Sequence, residues 1–458
     1  MKIFLGIEFL FLLLSGATYS QTDFPLLDKY ISELSSNDKS SGHLLVSKDD
    51  TIIYSNAFGF QKDNIDENTK FIIASIAKQF TVAGLILLER KGEIDLEAPI
   101  SKYISELKCF GNVKVIELIN HQSGIPDLYG EEGILVQMPD NSVTSNNQFI
   151  NDFATLKLKP LFAPGLKYEY SNTNYILLAS ILERITKEAF APWMEKNLFK
   201  PNGLNNTGVI SLNTSTIALD NSVSGMVYSN ANKKITLAEK AQETAEMVRS
   251  TGNLLGQGAM FSTPSDLLKW TSLVYTGFFN DEEKQRIFGV LVDDDSSQYS
   301  FGWELENSNE FGRIAHHSGR WPGWNSNLEH QIDNNVTIVY LNNLEGKDYE
   351  YPDFYKIRQI VAGTYYDLNK TNIYKYVGNY QTEDGKNDVL VARDNELFKV
   401  YGEYELKLIP RSKTRFELQG FAPTVTYEFT FDDQDNIIES RMFQKGAGVD
   451  VKFTKRSK

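Results

Sequence analysis

From Ser75 the chain runs Ser75-Ile76-Ala77-Lys78-Gln79-Phe80 and on through Val82-Ala83-Gly84-Leu85-Ile86-Leu87-Leu88, apolar on nearly every side. Glu89-Arg90-Lys91 and Gly92 close the run, and basic residues followed by glycine are ordinary helix stop signals. A helix that is apolar all round belongs inside a core, so the rest of the chain has to wrap it. Lys78 is the only charge before the closing cluster. A buried ammonium is costly unless it is paired or its pKa is lowered. Residues three apart share a helix face, which sets Lys78 beside the hydroxyl of Ser75. Ser75 also stands at the helix start, where unpaired N–H groups stabilise a developing oxyanion. This is the pattern of a serine nucleophile served by a lysine base. Ser36-Asn37-Asp38-Lys39 and Ser105-Glu106-Leu107-Lys108 repeat the spacing but read as solvated surface.

With 458 residues the chain can hold two domains around a substantial core. A net charge of −14, with no Lys/Arg-rich run, argues against a nucleic-acid partner. Met1-Lys2, the apolar run Ile3 to Leu14 and the small-residue stretch Ser15-Gly16-Ala17-Thr18-Tyr19-Ser20 read as a secretory signal over residues 1–20, cut after Ala17 or Ser20. The expected location is therefore secreted or periplasmic. No later segment looks transmembrane. Cys109 is the only cysteine. It lacks a nearby histidine or glycine-rich turn and is expected to be buried or half-buried and structural.

Pro25 to Leu34 carries the spacing of an amphipathic helix, and His43–Ser47 with Thr51–Ser55 reads as a hairpin. Helical patches and long loops fill residues 93 to 290, including Val115–Asn120, an apolar helix from Tyr175 to Ile185, and one beginning at Ser265. Strands return at Tyr299–Trp303, Arg313–His317 and Val336–Leu341. Strands at both ends with helices between predict one α+β unit, an antiparallel sheet flanked by helices with an inserted helical subdomain, over residues 23–365. From about Tyr374 short strand-like runs alternate with Asp384-Gly385, Asp394-Asn395 and Asp435-Asn436. They predict a small all-β barrel-like accessory domain over 372–458.

Two further clusters carry chemistry. Tyr170-Ser171-Asn172 sits on an expected turn just before the apolar helix at Tyr175. A tyrosine beside a lysine can have its phenolate favoured and shuttle protons. Ala315-His316-His317-Ser318-Gly319-Arg320-Trp321 reads as a strand lining a cleft edge, its glycine allowing a substrate backbone to approach. Trp321, Trp324 and Arg320 are expected on an aromatic rim. Adjacent histidines on a strand face opposite ways, so only one enters the site. The His-x-x-x-His and His-Glu-x-x-His spacings are absent, and no metal or cofactor is expected.

Together, Ser75-Ile76-Ala77-Lys78, Tyr170-Ser171-Asn172 and His317-Ser318-Gly319 resemble, in order, the three motifs of the serine β-lactamase and penicillin-binding-protein superfamily. The likeness is to its class C β-lactamases, D-alanyl-D-alanine carboxypeptidases, D-aminopeptidases and esterases, and spans roughly residues 40 to 345. Leu118–Pro126, Leu198–Leu204 and Gly256–Leu267 add lesser matches. The resemblance implies that Ser75 is acylated, that Lys78 and Tyr170 share the base work, and that Asn172 binds substrate or holds Lys78. It implies substrate contacts from His317, Ser318, Gly319 and Arg320, with an oxyanion hole formed by the N–H groups of Ser75 and Arg320. His317 stands where dedicated β-lactamases of class C carry lysine, and a partly charged histidine grips a substrate carboxylate less firmly. The expected activity is serine hydrolysis of amides or esters: D-amino-acid peptides, of which cell-wall material is one source, ahead of small esters. A β-lactamase, or an idle relative that binds peptidoglycan or protein, are the alternatives.

Overall fold

Gly42–Lys48 and Thr51–Phe58 form the expected hairpin, and its first strand pairs antiparallel with Val336–Asn342 from the far end of the domain. The computed structural model describes residues 24–130, 134–137, 145–210, 220–289, 298–366, 368, 372–394, 396–421, 424–444 and 448–456. Residues 1–20, read from sequence as a secretory signal, lie outside them. The resulting seven-stranded sheet runs in the order Thr51–Phe58, Gly42–Lys48, Val336–Asn342, Trp324–Gln331, Gly312–Trp321, Trp303–Ser308, Gln298–Ser300. The early hairpin thus occupies one end of a sheet whose other strands come from beyond residue 298. The described residues between them form helices, short strands and the loops that join them.

Trp324–Gln331 was not legible as a strand, because Trp-Asn-Ser-Asn-Leu-Glu-His-Gln has no alternating pattern. All eight residues are buried, with a strand on either side. Its polar side chains find partners that the linear sequence cannot reveal: Ser326 Oγ donates to the Ile73 carbonyl at 2.8 Å, and Asn325 Nδ2 to Glu345 Oε1 at 3.0 Å. Trp324 packs edge-on against Phe71 in the core rather than forming a cleft rim.

The organising helix spans Ala77–Arg90, preceded by a 3₁₀ turn at Ala74–Ile76 that carries Ser75. Phe80, Leu85, Ile86 and Leu88 are fully buried, and Phe80 lies against Trp270 with ring centroids 4.6 Å apart. Gly84 lets the helix approach its neighbours closely: a Cβ there would meet Leu182 Cδ1 and Trp193 Cζ3, both at 3.2 Å. Leu182 belongs to the helix Asn172–Thr186, which begins three residues earlier than the apolar pattern indicated. Cys109 is exposed, not buried. The short turn Lys108–Phe110 sends Phe110 inward and leaves the neighbouring thiol outside.

The first compact unit ends at Glu350, and the second runs Tyr351–Lys458. The helix Phe354–Ala362 goes with the second unit, so the division falls earlier than the change of sequence texture placed it. Eight strands from Gly378–Gln381 to Val449–Lys455 close into an antiparallel barrel, the first pairing with the last. Tyr376, Tyr380, Phe416, Tyr427 and Phe429 fill its core. Arg415–Leu418 and Ile437–Gln444 are strands that the sequence pattern did not mark. Among the described residues no helix is long and apolar enough to cross a membrane.

Candidate active site

Ala74, immediately before Ser75, has φ 45°, the left-handed region that a non-glycine residue adopts at a cost of about 1–3 kcal/mol. The turn is fixed from two sides. Ile73 N–H donates to the Met260 carbonyl at 3.0 Å, and the Ile73 carbonyl accepts from Ser326 Oγ at 2.8 Å. Ser75 is thereby held half-exposed at the mouth of a helix that is buried from Ala77 to Ile86.

Lys78 is completely buried, and its Nζ donates to Ser75 Oγ at 3.0 Å, to Asn172 Oδ1 at 2.9 Å and to the Gln257 carbonyl at 2.7 Å. Burial lowers its pKa from 10.5 to about 7, against the opposing pull of Asp127 and Glu304. Two of the three acceptors, an amide oxygen and a backbone carbonyl, cannot give up a proton. The third direction faces Ser75, so the neutral amine presents its lone pair to the hydroxyl. Below pH 7 the ammonium predominates and cannot accept that proton. We expect the rate of Ser75 acylation to fall about tenfold per pH unit below an inflection near 7. Stopped-time labelling of Ser75 between pH 5 and 8 measures it, and a flat profile would remove Lys78 as the base.

Asn172 is the first residue of its helix, and Ser171 at the N-cap makes no side-chain cap. Asp127, from the loop after His121, supplies it instead: Asp127 Oδ1 accepts the Asn172 N–H at 2.6 Å, and Oδ2 accepts Asn172 Nδ2 at 3.4 Å. Nδ2 bound to a carboxylate leaves Oδ1 for Lys78, so Asp127 sets the orientation of the amide. Asp127→Ala is expected to lower kcat/KM about 10- to 100-fold by freeing Asn172 to rotate. A change under twofold would show that Asn172 is held by something else.

Lys78 Nζ lies 4.9 Å from the Tyr170 ring centroid. The expectation of a favoured phenolate is not met. Burial pushes the Tyr170 pKa well above 10, and Tyr175, Tyr168 and Glu304 reinforce it against the opposing influence of the Ser75 hydroxyl. Tyr170 rests as a phenol, a group fitted to deliver a proton. His121 packs on it at 4.3 Å between centroids and accepts the Ser171 N–H on Nδ1 at 3.1 Å.

His317 is likewise not the partly charged residue expected from its motif. It is buried, and desolvation followed by the nearby Lys78 lowers its pKa to about 3. Its Nδ1 lies 2.6 Å from the Ser318 carbonyl, which can only accept. The ring is therefore a neutral Nδ1–H tautomer whose Nε2 faces the Tyr299 hydroxyl at 3.3 Å. The Ser318 side chain is exposed. Gly319 packs against the nucleophile turn itself: a Cβ there would lie 3.0 Å from Ser75 N. Trp321 pairs with Trp324 across a two-residue turn, and the alternation of an antiparallel ladder then points the Arg320 N–H away from Trp324–Gln331, towards the open edge. The Ser75 and Arg320 N–H groups can so converge on one oxygen. The Arg320 guanidinium is exposed and pairs with Glu345 at 3.0 Å.

A cavity of about 130 Å³ opens beside Ser75, lined by Ala74, Tyr129, Asn172, Met247, Thr251, Gln257, Gly258, Ala259, Arg320 and Trp321. Asp127, the Gln257 carbonyl, Tyr299 and Glu304 were not singled out from sequence. Asp127 lies one residue past the weakly matching stretch Leu118–Pro126, Gln257 lies inside the one at Gly256–Leu267, and a backbone carbonyl leaves no mark in a sequence. Among the described residues no group of three or more His, Cys, Asp or Glu side chains is placed to hold a metal ion.

A family model described as Beta-lactamase matches residues 27–362. The chain is 31% identical over 414 residues to Penicillin-binding protein 4* of Bacillus subtilis, covering 86% of this chain and 90% of that protein. It is 24% identical over 337 residues to a D-aminopeptidase of Brucella canis, covering 71% of this chain and 60% of that one. An octameric penicillin-binding protein homologue from Pyrococcus abyssi shares the fold with a TM-score of 0.62 at 18% identity, covering 95% of this chain and all of the other.

Proposed function

Because the chain belongs to the β-lactamase family, a family of serine hydrolases, we propose that Ser75 forms an acyl-enzyme with amides or esters, D-amino-acid peptides and amides first and small esters second. The single observation carrying this reading is the disposition of Lys78, with two hydrogens on fixed acceptors and the third direction on Ser75 Oγ. Neutral Lys78 takes the Ser75 proton as Oγ attacks the carbonyl carbon. The tetrahedral oxyanion lies between the N–H groups of Ser75 and Arg320. Tyr170, whose ring lies 4.9 Å from Lys78 Nζ, passes a proton to the leaving amine or alkoxide and is reprotonated from Lys78. Water then attacks the ester by the reverse relay and releases the acid. The charged start and apolar run of residues 3–14 support work outside the cytoplasm.

The order of substrates rests on His317. A neutral imidazole offers no cation to a substrate carboxylate, which weighs against β-lactams as the main substrate. The test is hydrolysis of p-nitrophenyl esters, D-alanyl peptides, D-amino-acid anilides and nitrocefin by the purified mature protein, with mass spectrometry of the Ser75 peptide. Turnover of one class with a transient acyl mass on Ser75 is the expected result. Folded protein that turns over nothing and takes no fluorophosphonate label overturns the reading in favour of an idle binding protein.

A further inference from the structure

Glu304, on the strand Trp303–Ser308, is a half-exposed carboxylate beside the aromatic wall of the site. Among the described residues its basic neighbours are His316 Nδ1 at 3.9 Å and His317 Nδ1 at 4.0 Å, both beyond hydrogen-bonding distance. The His317 Nδ1–H is already given to the Ser318 carbonyl. The His317 ring stands 6.3 Å from that of Tyr170. The field of Glu304 is felt at Lys78, Tyr168 and Tyr170 together.

The two longer basic side chains of the site are engaged elsewhere. Lys78 gives two hydrogens to Asn172 and the Gln257 carbonyl and turns its third direction to Ser75, and the Arg320 guanidinium is held by Glu345. Tyr170, the proton donor of the proposed mechanism, marks the side on which the leaving group departs. We infer that Glu304 is a specificity-determining residue that excludes substrates carrying a carboxylate on the leaving-group side, so that the site takes uncharged or cationic leaving groups such as amides, amines and neutral alcohols. The inference rests on the acyl-enzyme reading above and names the substrate class within it. Exclusion by a like charge is an established way of securing specificity. Two unit charges several ångströms apart in a half-solvated cleft are worth about tenfold in rate.

A penicillin carries its carboxylate beside the nitrogen that becomes the leaving group, so a fluorescent penicillin and its carboxyl methyl ester form a matched pair of Ser75 probes. The wild type is expected to react with the methyl ester about tenfold faster than with the free acid. Glu304→Gln should collapse that ratio towards one, and Glu304→Lys should invert it. Because the same serine attacks the lactam carbonyl of both probes and opens the same C–N bond, the ratio cancels any effect of the substitutions on Lys78 or on folding. A wild-type preference for the free acid, or a ratio unmoved by Glu304→Gln, overturns the inference while labelling of Ser75 still upholds the hydrolase. Failure of folded wild type to react with either probe or with fluorophosphonate overturns both.

Discussion

Ser75→Ala and Lys78→Met should each lower kcat/KM by about 10⁴-fold or more, and the double variant should be no worse than Ser75→Ala alone. The two side chains act as one unit: without the amine the hydroxyl keeps its proton, and without the hydroxyl the amine has nothing to activate. Methionine nearly preserves the length and volume of lysine, so the helix Ala77–Arg90 keeps its packing. Asn172 Oδ1 and the Gln257 carbonyl lose their donor, a cost of about 1–3 kcal/mol for each unsatisfied buried acceptor. Removal of a desolvated ammonium offsets that cost in a pH-dependent way. The Lys78 pKa falls from 10.5 unfolded to about 7 folded, so between those values the unfolded chain binds more protons and stability rises with pH. Wild type bears the full penalty below pH 7 and sheds it towards pH 10. Melting curves should therefore show Lys78→Met comparing best with wild type at or below pH 7 and losing ground as the pH rises. A double variant several orders of magnitude below Ser75→Ala, or a melting difference independent of pH, would break the account of Lys78 as a buried base.

Gly319→Ala is expected to cost about 1–3 kcal/mol of stability and about 100-fold in kcat/KM. The added Cβ would lie 2.3 Å from the Ile73 carbonyl oxygen, 2.4 Å from Ser326 Oγ and 3.0 Å from Ser75 N. Two of those are backbone atoms of the nucleophile turn, and the third is the hydroxyl that pins it. None is the free end of a flexible side chain. Relief comes from moving the strand Gly312–Trp321 away from Ser75 or shifting Ser75 itself, and both separate the two N–H groups of the oxyanion hole. The loss should fall mainly on kcat, because those groups act on a charge that develops only in the transition state. Retention of activity within twofold would show that Gly319 does not set the spacing between strand and turn.

The legibility of this chain divides along a physical line. Lys78 stood out because a charge in an all-apolar helix has few structural explanations, and its distance from Ser75 follows from helix geometry alone. The outer hairpin and most barrel strands were readable from alternation and turn residues. The strand Trp324–Gln331 was not, since a strand buried between two others needs no alternation and its polar side chains are satisfied from remote segments.

Protonation states were the least readable. The fold brings His317 and Tyr170 together near Lys78, yet their charge states differ from those expected, because burial moved both pKa values in the direction that keeps the ring neutral. Asp127, 45 residues from Asn172, and the Gln257 carbonyl, 179 residues from Lys78, complete the site only through the fold. What the sequence determined by itself was the family, the pairing of Ser75 with Lys78 on one helix face and the order of three motifs, all local or periodic properties of the chain. Tertiary structure alone decided which groups are charged, which amide oxygen faces the lysine and which carboxylate guards the cleft, because desolvation and Coulomb fields depend on distances in space and not along the chain.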